Sequence, residues 1–344
     1  MKHKILIAAL AISLNASAQE ITIGNYTFKN GAEYQGEMFK GKPWGKGVTT
    51  FRNGDSYQGE YEKGKRHGHG IYIFANGEKY DGEWFNDQQH GHGVFYFANN
   101  NKYDGLWWKD FQQGKGTMYY FNGDKYEGNW VSDRREGIGT YTYENGSYYK
   151  GAWRGDRKNG NGTFNWDDGS MYTGQWADNQ RSGDGTYVYP NGDKYIGTWK
   201  NDLQHGRGIY TFHNGDRYEG QYDNGVRSGE GIFTYSNGNK YVGQFLHGEQ
   251  HGQGTYKWAS GAQYVGQWQN GKRHGQGKYT SSNGDTYEGG WDDGLMNGEG
   301  ILRFADGSKY KGGFREGLMH GHGILVDAQG NRQEGTFADG AFVK

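Results

Sequence analysis

The sequence contains no cysteine and only 2 prolines among its 344 residues. Without cysteine, neither a disulfide framework nor a lipid-modified cysteine behind a signal peptide can form. Hydrophobic residues make up 33% of the chain and half of that share is aromatic, at 17%, so aliphatic residues are too scarce for a large conventional core. Glycine is in excess, with 65 residues, more than double an ordinary share of about 7%. Because disordered segments are poor in aromatics, this composition favours tight turns between short strands.

The N-terminus has the pattern of a secretory signal peptide. Residues 2–4 are Lys-His-Lys, residues 5–14 form a mostly apolar run, and residues 16–18 are Ala-Ser-Ala, a small-x-small cleavage site. An uncleaved anchor is the less favoured alternative, because an apolar run this short cannot cross a bilayer, which takes about 20 residues. We therefore predict cleavage near Ala18 and a mature chain that begins at Gln19, without a transmembrane segment. The predicted location is exported: periplasmic, on the cell surface or secreted.

Net charge argues against two classes of partner. Removal of the signal peptide takes away Lys2 and Lys4 and shifts the formal net charge from −1 to −3. A near-neutral, slightly acidic chain lacks the bulk electrostatics that attract nucleic acid or an anionic membrane. We therefore expect no nucleic-acid partner.

An internal repeat of 23 residues dominates the sequence. Numbered from a recurring tyrosine, position 3 is glycine, position 5 is most often tryptophan, positions 12 and 14 are glycine, and positions 16 and 18 are mostly aromatic. Positions 20 and 21 are usually Asn-Gly or Asp-Gly. The tyrosines recur without insertion or deletion at Tyr34, Tyr57, Tyr80, Tyr103, Tyr126, Tyr149, Tyr172, Tyr195, Tyr218, Tyr241, Tyr264, Tyr287 and Tyr310.

Each repeat has the pattern of a β-hairpin. Positions 1, 3 and 5 alternate along one strand, and positions 14, 16 and 18 alternate along a second. Pairs such as Asn53-Gly54 predict type I′ turns that join one repeat to the next, whereas the connection over positions 7 to 11 is expected to be longer. A ring from a neighbouring strand can cover the gap left by glycine at position 3. We predict an all-β fold, an elongated single-sheet antiparallel β-meander of about thirteen tandem hairpin repeats, as in a solenoid.

The repeat columns also set the domain organisation. We predict a signal peptide over residues 1–18 and an N-terminal half repeat over residues 19–33 that caps the array. Thirteen complete repeats then cover residues 34–332. Residues 333–344 form a partial C-terminal repeat, since the terminal units of repeat arrays are commonly atypical.

The motif Tyr-x-Gly-x-Trp, followed by Gly-x-Gly and Asn-Gly-x-x-Tyr at period 23, resembles the MORN repeat family. Segments 66–70 (Arg-His-Gly-His-Gly) and 272–277 (Lys-Arg-His-Gly-Gln-Gly) are close to its consensus. The resemblance covers residues 22–340 and implies an elongated antiparallel β-ladder. It also implies roles in protein scaffolding and self-association and, in some members, contact with membranes or phosphoinositides. The kinase or methyltransferase domains that accompany such repeats elsewhere have no counterpart in this sequence.

Three residue patterns that could belong to a functional site recur at fixed positions of the repeat. Because they recur with the repeat, we interpret them as structural. The pattern Gly36-x4-Gly41-Lys42 looks like the start of a phosphate loop, but Pro43 follows where a nucleotide site needs Ser or Thr. Histidines at positions 11 and 13 could bind metal, yet a polar turn residue is the favoured interpretation. Acids at position 22, such as Asp55, are interpreted as solvated turn residues. We predict no catalytic residues, no cofactor and no metal site.

Exposed aromatic side chains are the best functional candidates. The rings at positions 1 and 5 either pack on one another or form a surface for stacking on sugars or on an apolar partner. Four tryptophans lie outside the position 5 column, and we interpret them as candidate partner-binding residues: Trp44, Trp108, Trp166 and Trp258. Trp44 and Trp108 in particular break the column rule.

The sequence thus favours an exported, non-catalytic scaffold that binds protein partners of unknown identity through its long sheet surface, with self-association as a further expectation. A cell-envelope carbohydrate binder that uses the aromatic stripe is the first alternative. Peripheral binding to membrane lipid is the second, and the absence of a basic stripe weighs against it. An enzyme is the least favoured class.

Overall fold

The structure is a computed structural model that describes residues 20–344. The predicted signal peptide, residues 1–18, lies outside this range, as does Gln19. Every regular element of residues 20–344 is a β-strand, and these 29 strands form one open antiparallel sheet. This confirms the predicted all-β fold of antiparallel hairpin repeats. Within the same range no helix is long and apolar enough to cross a membrane.

The chain divides into two compact units, one ending at Gly137 and one beginning at Ile138. Strand β11 (Arg134–Thr142) contains this boundary. The first unit holds β1 Thr22–Thr27, β2 Glu33–Phe39, β3 Lys42–Thr50, β4 Ser56–Glu62, β5 Lys65–Ile73, β6 Lys79–Phe85, β7 Gln88–Tyr96, β8 Lys102–Trp108, β9 Phe111–Tyr119 and β10 Lys125–Val131.

The second unit begins with β12 Tyr148–Arg154, β13 Arg157–Asn165, β14 Met171–Ala177, β15 Gln180–Val188, β16 Lys194–Lys200, β17 Leu203–Thr211, β18 Arg217–Asp223, β19 Val226–Thr234 and β20 Lys240–Leu246. It continues with β21 Glu249–Lys257, β22 Gln263–Gln269, β23 Lys272–Thr280, β24 Thr286–Asp292, β25 Leu295–Arg303, β26 Lys309–Arg315, β27 Leu318–Val326, β28 Arg332–Ala338 and β29 Ala341–Phe342.

Within each unit, neighbours in sequence are neighbours in the sheet. Strand β4 pairs with β5 inside one repeat, and β5 pairs with β6 of the next repeat, both antiparallel. The first strand of a repeat has seven residues and the second has nine, as β4 and β5 show. Short connections and the alternation of side chains make this arrangement the simplest one for the sequence.

The two connections of a repeat differ from the prediction, which had their lengths reversed. Between β4 and β5 the loop is only Lys63-Gly64, and both residues have positive φ, 55° and 83°, as a type I′ turn requires. Beyond the end of β5 the backbone N–H of Phe74 donates to the carbonyl of Glu78 at 2.9 Å. The Asn76-Gly77 pair lies in the three-residue loop that this bond closes, and there only the glycine has a positive φ, 89°. The side chain of Asn76 accepts a hydrogen bond from the backbone N–H of Glu78 at 3.1 Å. This local bond holds the asparagine in the geometry of an Asx turn, so the predicted type I′ turn does not form there.

A bulge in the second strand explains the glycine at position 12. The pairing of β4 with β5 passes from Gly59 opposite Gly70 directly to Glu60 opposite His67. Gly68 therefore lies within the irregular stretch, with φ of 59°, a conformation that side chains other than glycine rarely adopt. Glycines at positions 3 and 14 have a different role, because they face each other across the pair.

The tyrosine at position 1 fills the space above that glycine pair. Tyr57 is fully buried, and a Cβ added to Gly70 would lie 2.2 Å from its hydroxyl oxygen. The hydroxyl donates a hydrogen bond to the carbonyl of Glu60 at 3.0 Å. The predicted cover of glycine by an aromatic ring is therefore present. The predicted origin of the ring at position 3 was wrong, because the ring over Gly59 comes from the same strand; the ring covers Gly70, at position 14, from the neighbouring strand.

The tryptophan at position 5 connects one repeat to the next. The indole N–H of Trp84 donates a hydrogen bond to the carbonyl of Gly70 at 3.0 Å. Its ring contacts Tyr57 edge to face at 5.4 Å and Tyr80 in the same manner at 5.2 Å between ring centroids. Edge-to-face pairs are favourable because ring edges and faces carry opposite partial charge. Repetition of this contact makes a continuous aromatic core within each unit.

Candidate interaction surfaces

The aromatic rings at positions 1 and 5 of the repeat are buried. Tyr241 is fully buried and Trp268 is only 7% exposed, and the other rings of positions 1 and 5 are similarly buried. Their polar atoms are also satisfied internally, since Trp268 donates to the carbonyl of Gly254 at 3.3 Å and Tyr241 donates to that of Gln244 at 2.9 Å. These columns could have packed on one another or formed an open binding surface, and the burial of the rings supports packing. Within residues 20–344 the rings of this stripe therefore expose little surface on which a sugar could stack.

A row of long side chains at position 10 covers these rings, and the sequence analysis did not identify it. The guanidinium of Arg66 lies 4.1 Å from the ring centroid of Trp84, and that of Arg273 lies 4.2 Å from that of Trp291. Arg66 also donates a hydrogen bond to the backbone carbonyl of Asp87 at 2.7 Å. Such cation–π contacts stabilise a partly buried cation. The sequence signal is the recurrence of arginine at this position, in Arg66, Arg135, Arg181, Arg227 and Arg273.

On the opposite face, the first unit carries an exposed row of stacked rings. His67, Phe85, His90 and Trp108 form this ring ladder, with successive centroids 5.3, 5.6 and 4.6 Å apart. Phe85 is 51% exposed and Trp108 is 52% exposed, and the neighbouring Phe111 is 49% exposed. Large exposed aromatics in one cluster are uncommon on a protein surface that has no partner.

A second exposed row lies at the other ends of the same strands. The ammonium groups of Lys79 and Lys102 lie 4.5 and 4.3 Å from the ring centroids of Tyr96 and Tyr119, respectively. Lysine and tyrosine alternate along this row, because Lys79 pairs with Tyr96 and Tyr96 pairs with Lys102. Strands β6–β9 therefore present aromatic side chains at both ends of one face.

The four candidate tryptophans fall into two different rows of the repeat. Trp108 belongs to the ring ladder, at position 6. Trp44, at position 11, is half-buried and contacts Phe39 at 5.3 Å. Because positions 6 and 11 lie side by side in the sheet, Trp44 and Trp108 follow a column that the sequence analysis did not recognise.

The other two candidates lie at position 18, beside the three-residue loops of the second unit. Trp166 and Trp258 are half-buried. Trp166 packs on Phe164 at 4.4 Å, and Trp258 packs on Tyr256 at 4.6 Å. Both rings thus extend the aromatic core, and only Trp108 of the four has more than half of its surface exposed.

Each unit also has a groove on the face opposite the aromatic core. In the first unit a groove of about 590 Å³ is lined by polar residues such as Gln58, Glu60 and His69 together with Val48 and Ile71. In the second unit a groove of about 450 Å³ has an apolar floor that includes Ile196 and Val242. The two grooves use the same repeat positions, so their chemistry differs only through side chains that vary between repeats.

Several of the recurrent histidines each lie beside a single carboxylate. His92 lies 3.0 Å from Asp104, and His274 lies 3.3 Å from Asp292. Among residues 20–344 no group of three or more His, Cys, Asp or Glu side chains is arranged to hold a metal ion.

The second glycine of the phosphate-loop-like pattern, Gly41, lies in a tight hairpin turn with φ of 73°.

Acids at position 22 connect the loops of successive repeats. The carboxylate of Asp193 accepts hydrogen bonds from the backbone N–H of His213 and from the hydroxyl of Tyr210, both at 2.8 Å. Burial by itself raises the pKa of Asp193, but these bonds and one from Asn191 outweigh it and lower the pKa to about 2. The charged form is therefore part of the folded structure.

Comparison with known families identifies these hairpins. The profile of the MORN repeat matches thirteen consecutive segments, the first at residues 34–56 and the last at residues 310–332. The chain belongs to the MORN repeat family. Proteins built from MORN repeats are generally non-enzymatic repeat scaffolds, which suggests a repeat-based binding or scaffold protein. No curated protein matches the chain.

Several solved structures show a distant likeness to this MORN repeat chain. One is the TCP domain of Drosophila melanogaster SAS-4 (dCPAP) in complex with a proline-rich motif of Ana2 (dSTIL), at 16% identity over 45% of this chain and 85% of that chain, with a TM-score of 0.30. Another is the TCP10 domain of Danio rerio CPAP, at 10% identity, 78% and 99% coverage and a TM-score of 0.16. Virginiamycin B lyase from Staphylococcus aureus follows at 11% identity, 92% and 89% coverage and a TM-score of 0.13. TM-scores this low support no conclusion about function.

Proposed function

We propose that this MORN repeat protein is an exported, non-catalytic scaffold that binds a partner protein through strands β5–β9 of its first unit. The observation that carries the proposal is the exposed ring ladder of His67, Phe85, His90 and Trp108. Its two largest members are each about half exposed, Phe85 at 51% and Trp108 at 52%, although the same sheet buries the rings at positions 1 and 5.

The composition of this face fits a protein partner. Tryptophan and tyrosine are enriched among the residues that dominate binding energy in protein interfaces. The ladder and the Lys–Tyr row combine exposed rings with cations, and Lys109 lies 5.7 Å from the ring of Trp108. An apolar segment of a partner protein can cover the rings, while the lysines at the rim contact its polar groups. Export is supported by the signal-peptide pattern of residues 1–18.

The test compares two variants at the same repeat position. Trp108→Ala removes the most exposed ring of the ladder, and Leu246→Ala removes a side chain at position 6 of the second unit that is 42% exposed. The native protein is isolated from cell-envelope and secreted fractions after cross-linking, its N-terminus is sequenced, and the cross-linked partner is identified. We expect cleavage after Ala18 and, by calorimetry with the purified partner, an affinity at least about tenfold lower for the tryptophan variant.

The matched control decides the location of the surface. Leu246→Ala should bind the partner as the wild type does, and equal losses in both variants would contradict binding through the first unit. Recovery of glycan or lipid without any protein would overturn the scaffold proposal and favour envelope binding. An N-terminus that still begins at Met1 would overturn the export proposal.

A further inference from the structure

One residue of the position 10 row differs chemically from the rest. Lys158 is the row's lysine, where other repeats have arginine, glutamine, methionine or proline. Its ammonium lies 4.4 Å from the ring centroid of Trp176, 4.7 Å from that of Phe164 and 5.5 Å from that of Tyr149. Three aromatic faces therefore surround a primary amine.

Lys158 also lacks the carboxylate partner that Arg66 and Arg181 have. In the following repeat Arg181 donates to the carboxylate of Asp202 at 3.1 Å, and that acid is the eighth residue of its own repeat. The equivalent residue beside Lys158 is Asn179, whose side-chain oxygen accepts only from the lysine backbone N–H, at 2.9 Å. Within residues 20–344 the ammonium of Lys158 has no hydrogen bond or ion pair, and the aromatic rings are its neighbours.

A cavity of about 450 Å³ opens at this amine. Tyr143, Phe164 and Trp166 supply aromatic walls, and Ser147 and Asn145 supply polar groups. A volume of this size is at the lower end of the range for small-molecule sites, roughly 300–1,000 Å³. A molecule with one planar ring therefore fits beside the lysine.

The electrostatics of the cavity agree with this geometry. Burial lowers the pKa of Lys158 to about 8; Asp202 opposes this change and Arg181 adds to it. The remaining charged group of the lining is the exposed Asp167. Lysines that are desolvated by apolar walls or lie near another cation are the ones that act as nucleophiles toward carbonyl compounds.

We propose that Lys158 is a reactive amine that forms an imine with aldehydes whose planar apolar group enters this cavity. The uncharged nitrogen attacks the carbonyl carbon, a C–N bond forms, and the resulting carbinolamine loses its oxygen as water. The product is a neutral or protonated imine, and no oxidant or reductant takes part. This site lies in the second unit and is independent of partner binding through the ring ladder.

The experiment uses benzaldehyde as the probe on the full-length protein at pH 7. Sodium cyanoborohydride reduces each imine to a stable benzylamine, and peptide mapping by mass spectrometry gives the rate at every lysine. Lys150, which is exposed in the same repeat, is the internal reference. We expect Lys158 to react about tenfold faster than Lys150, because burial lowers the pKa of Lys158.

Two variants test the cause of this reactivity. Asn179→Asp places a carboxylate where Arg181 has one, and the rate at Lys158 should fall toward that of Lys150. Asn270→Asp adds the same charge at an exposed turn of a distant repeat and should leave the rate unchanged. Labelling of Lys158 no faster than Lys150 would overturn the proposal, and so would an equally fast rate in the Asn179→Asp variant.

Discussion

The contact between the glycine at position 14 and the tyrosine at position 1 makes a sharp prediction about stability. In Gly254→Ala the new Cβ would lie 2.4 Å from the hydroxyl oxygen of Tyr241 and 2.5 Å from its Cε2 atom. Tyr241 is fully buried, and its ring contacts Phe245 at 5.2 Å and Trp268 at 5.3 Å. The ring therefore has no free space into which it can move.

The expected magnitude follows from two costs. Forcing an extra methyl group into a packed core costs about 1–3 kcal/mol. A shift of the ring also breaks the hydrogen bond from the Tyr241 hydroxyl to the carbonyl of Gln244, which is 2.9 Å long, and leaving such a buried group unpaired costs about 1–3 kcal/mol. Together the two costs predict that Gly254→Ala lowers the free energy of unfolding by about 2–6 kcal/mol.

Urea unfolding followed by tryptophan fluorescence measures this loss, and hydrogen exchange should locate it in strands β20–β22. Gly298→Ala is the matched control, because its φ is 77° and a Cβ there would have no atom within 4 Å. That variant experiences only the strain of a left-handed backbone, about 1–2 kcal/mol.

A double-mutant cycle tests the physical cause. In a Tyr241→Leu background the ring is absent, so Gly254→Ala should cost less than about 1 kcal/mol. If Gly254→Ala is as destabilising there as in the wild type, the tyrosine contact is not the reason that position 14 requires glycine.

Two predictions concern pH. Burial raises the pKa of Tyr264 to about 12 in the folded state. The contribution of neutral Tyr264 to stability is therefore complete below pH 10 and is lost as the pH rises toward 12. Absorbance at 295 nm and circular dichroism should then report tyrosine ionisation and unfolding in one step. The pKa of Asp193 is lowered to about 2 by hydrogen bonds that include one from Tyr210, so its contribution is present above pH 4 and is lost as the pH falls toward 2. Asp193→Asn should therefore lower the urea midpoint at pH 6 and change it little at pH 2; equal effects at both pH values would contradict this role of the charge.

The candidate site was only partly predictable from the sequence. Trp108 was identified because it departs from the position 5 column, but the sequence does not show that it stacks on His90 at 4.6 Å. Phe85 was missed, since a phenylalanine at position 6 is unremarkable until its cross-strand neighbours are known. Trp166 and Trp258 were identified by the same departure, although the structure places both against core aromatics.

The sequence by itself determined the period, the all-β class and the aromatic and glycine columns, because strand alternation and glycine preference act within a few residues. Only the tertiary structure decided the features that depend on pairing between strands. These are the two-residue turn at Lys63-Gly64, the bulge at Gly68, the ring ladder that contains Trp108 and the cover of the core by position 10. Strand pairing also decides the surroundings of Lys158. It places Asn179 of the next repeat beside the lysine, where Arg181 has the carboxylate of Asp202. The register that brings such residues together is set by the hydrogen bonds of the whole sheet and not by the pattern within one strand.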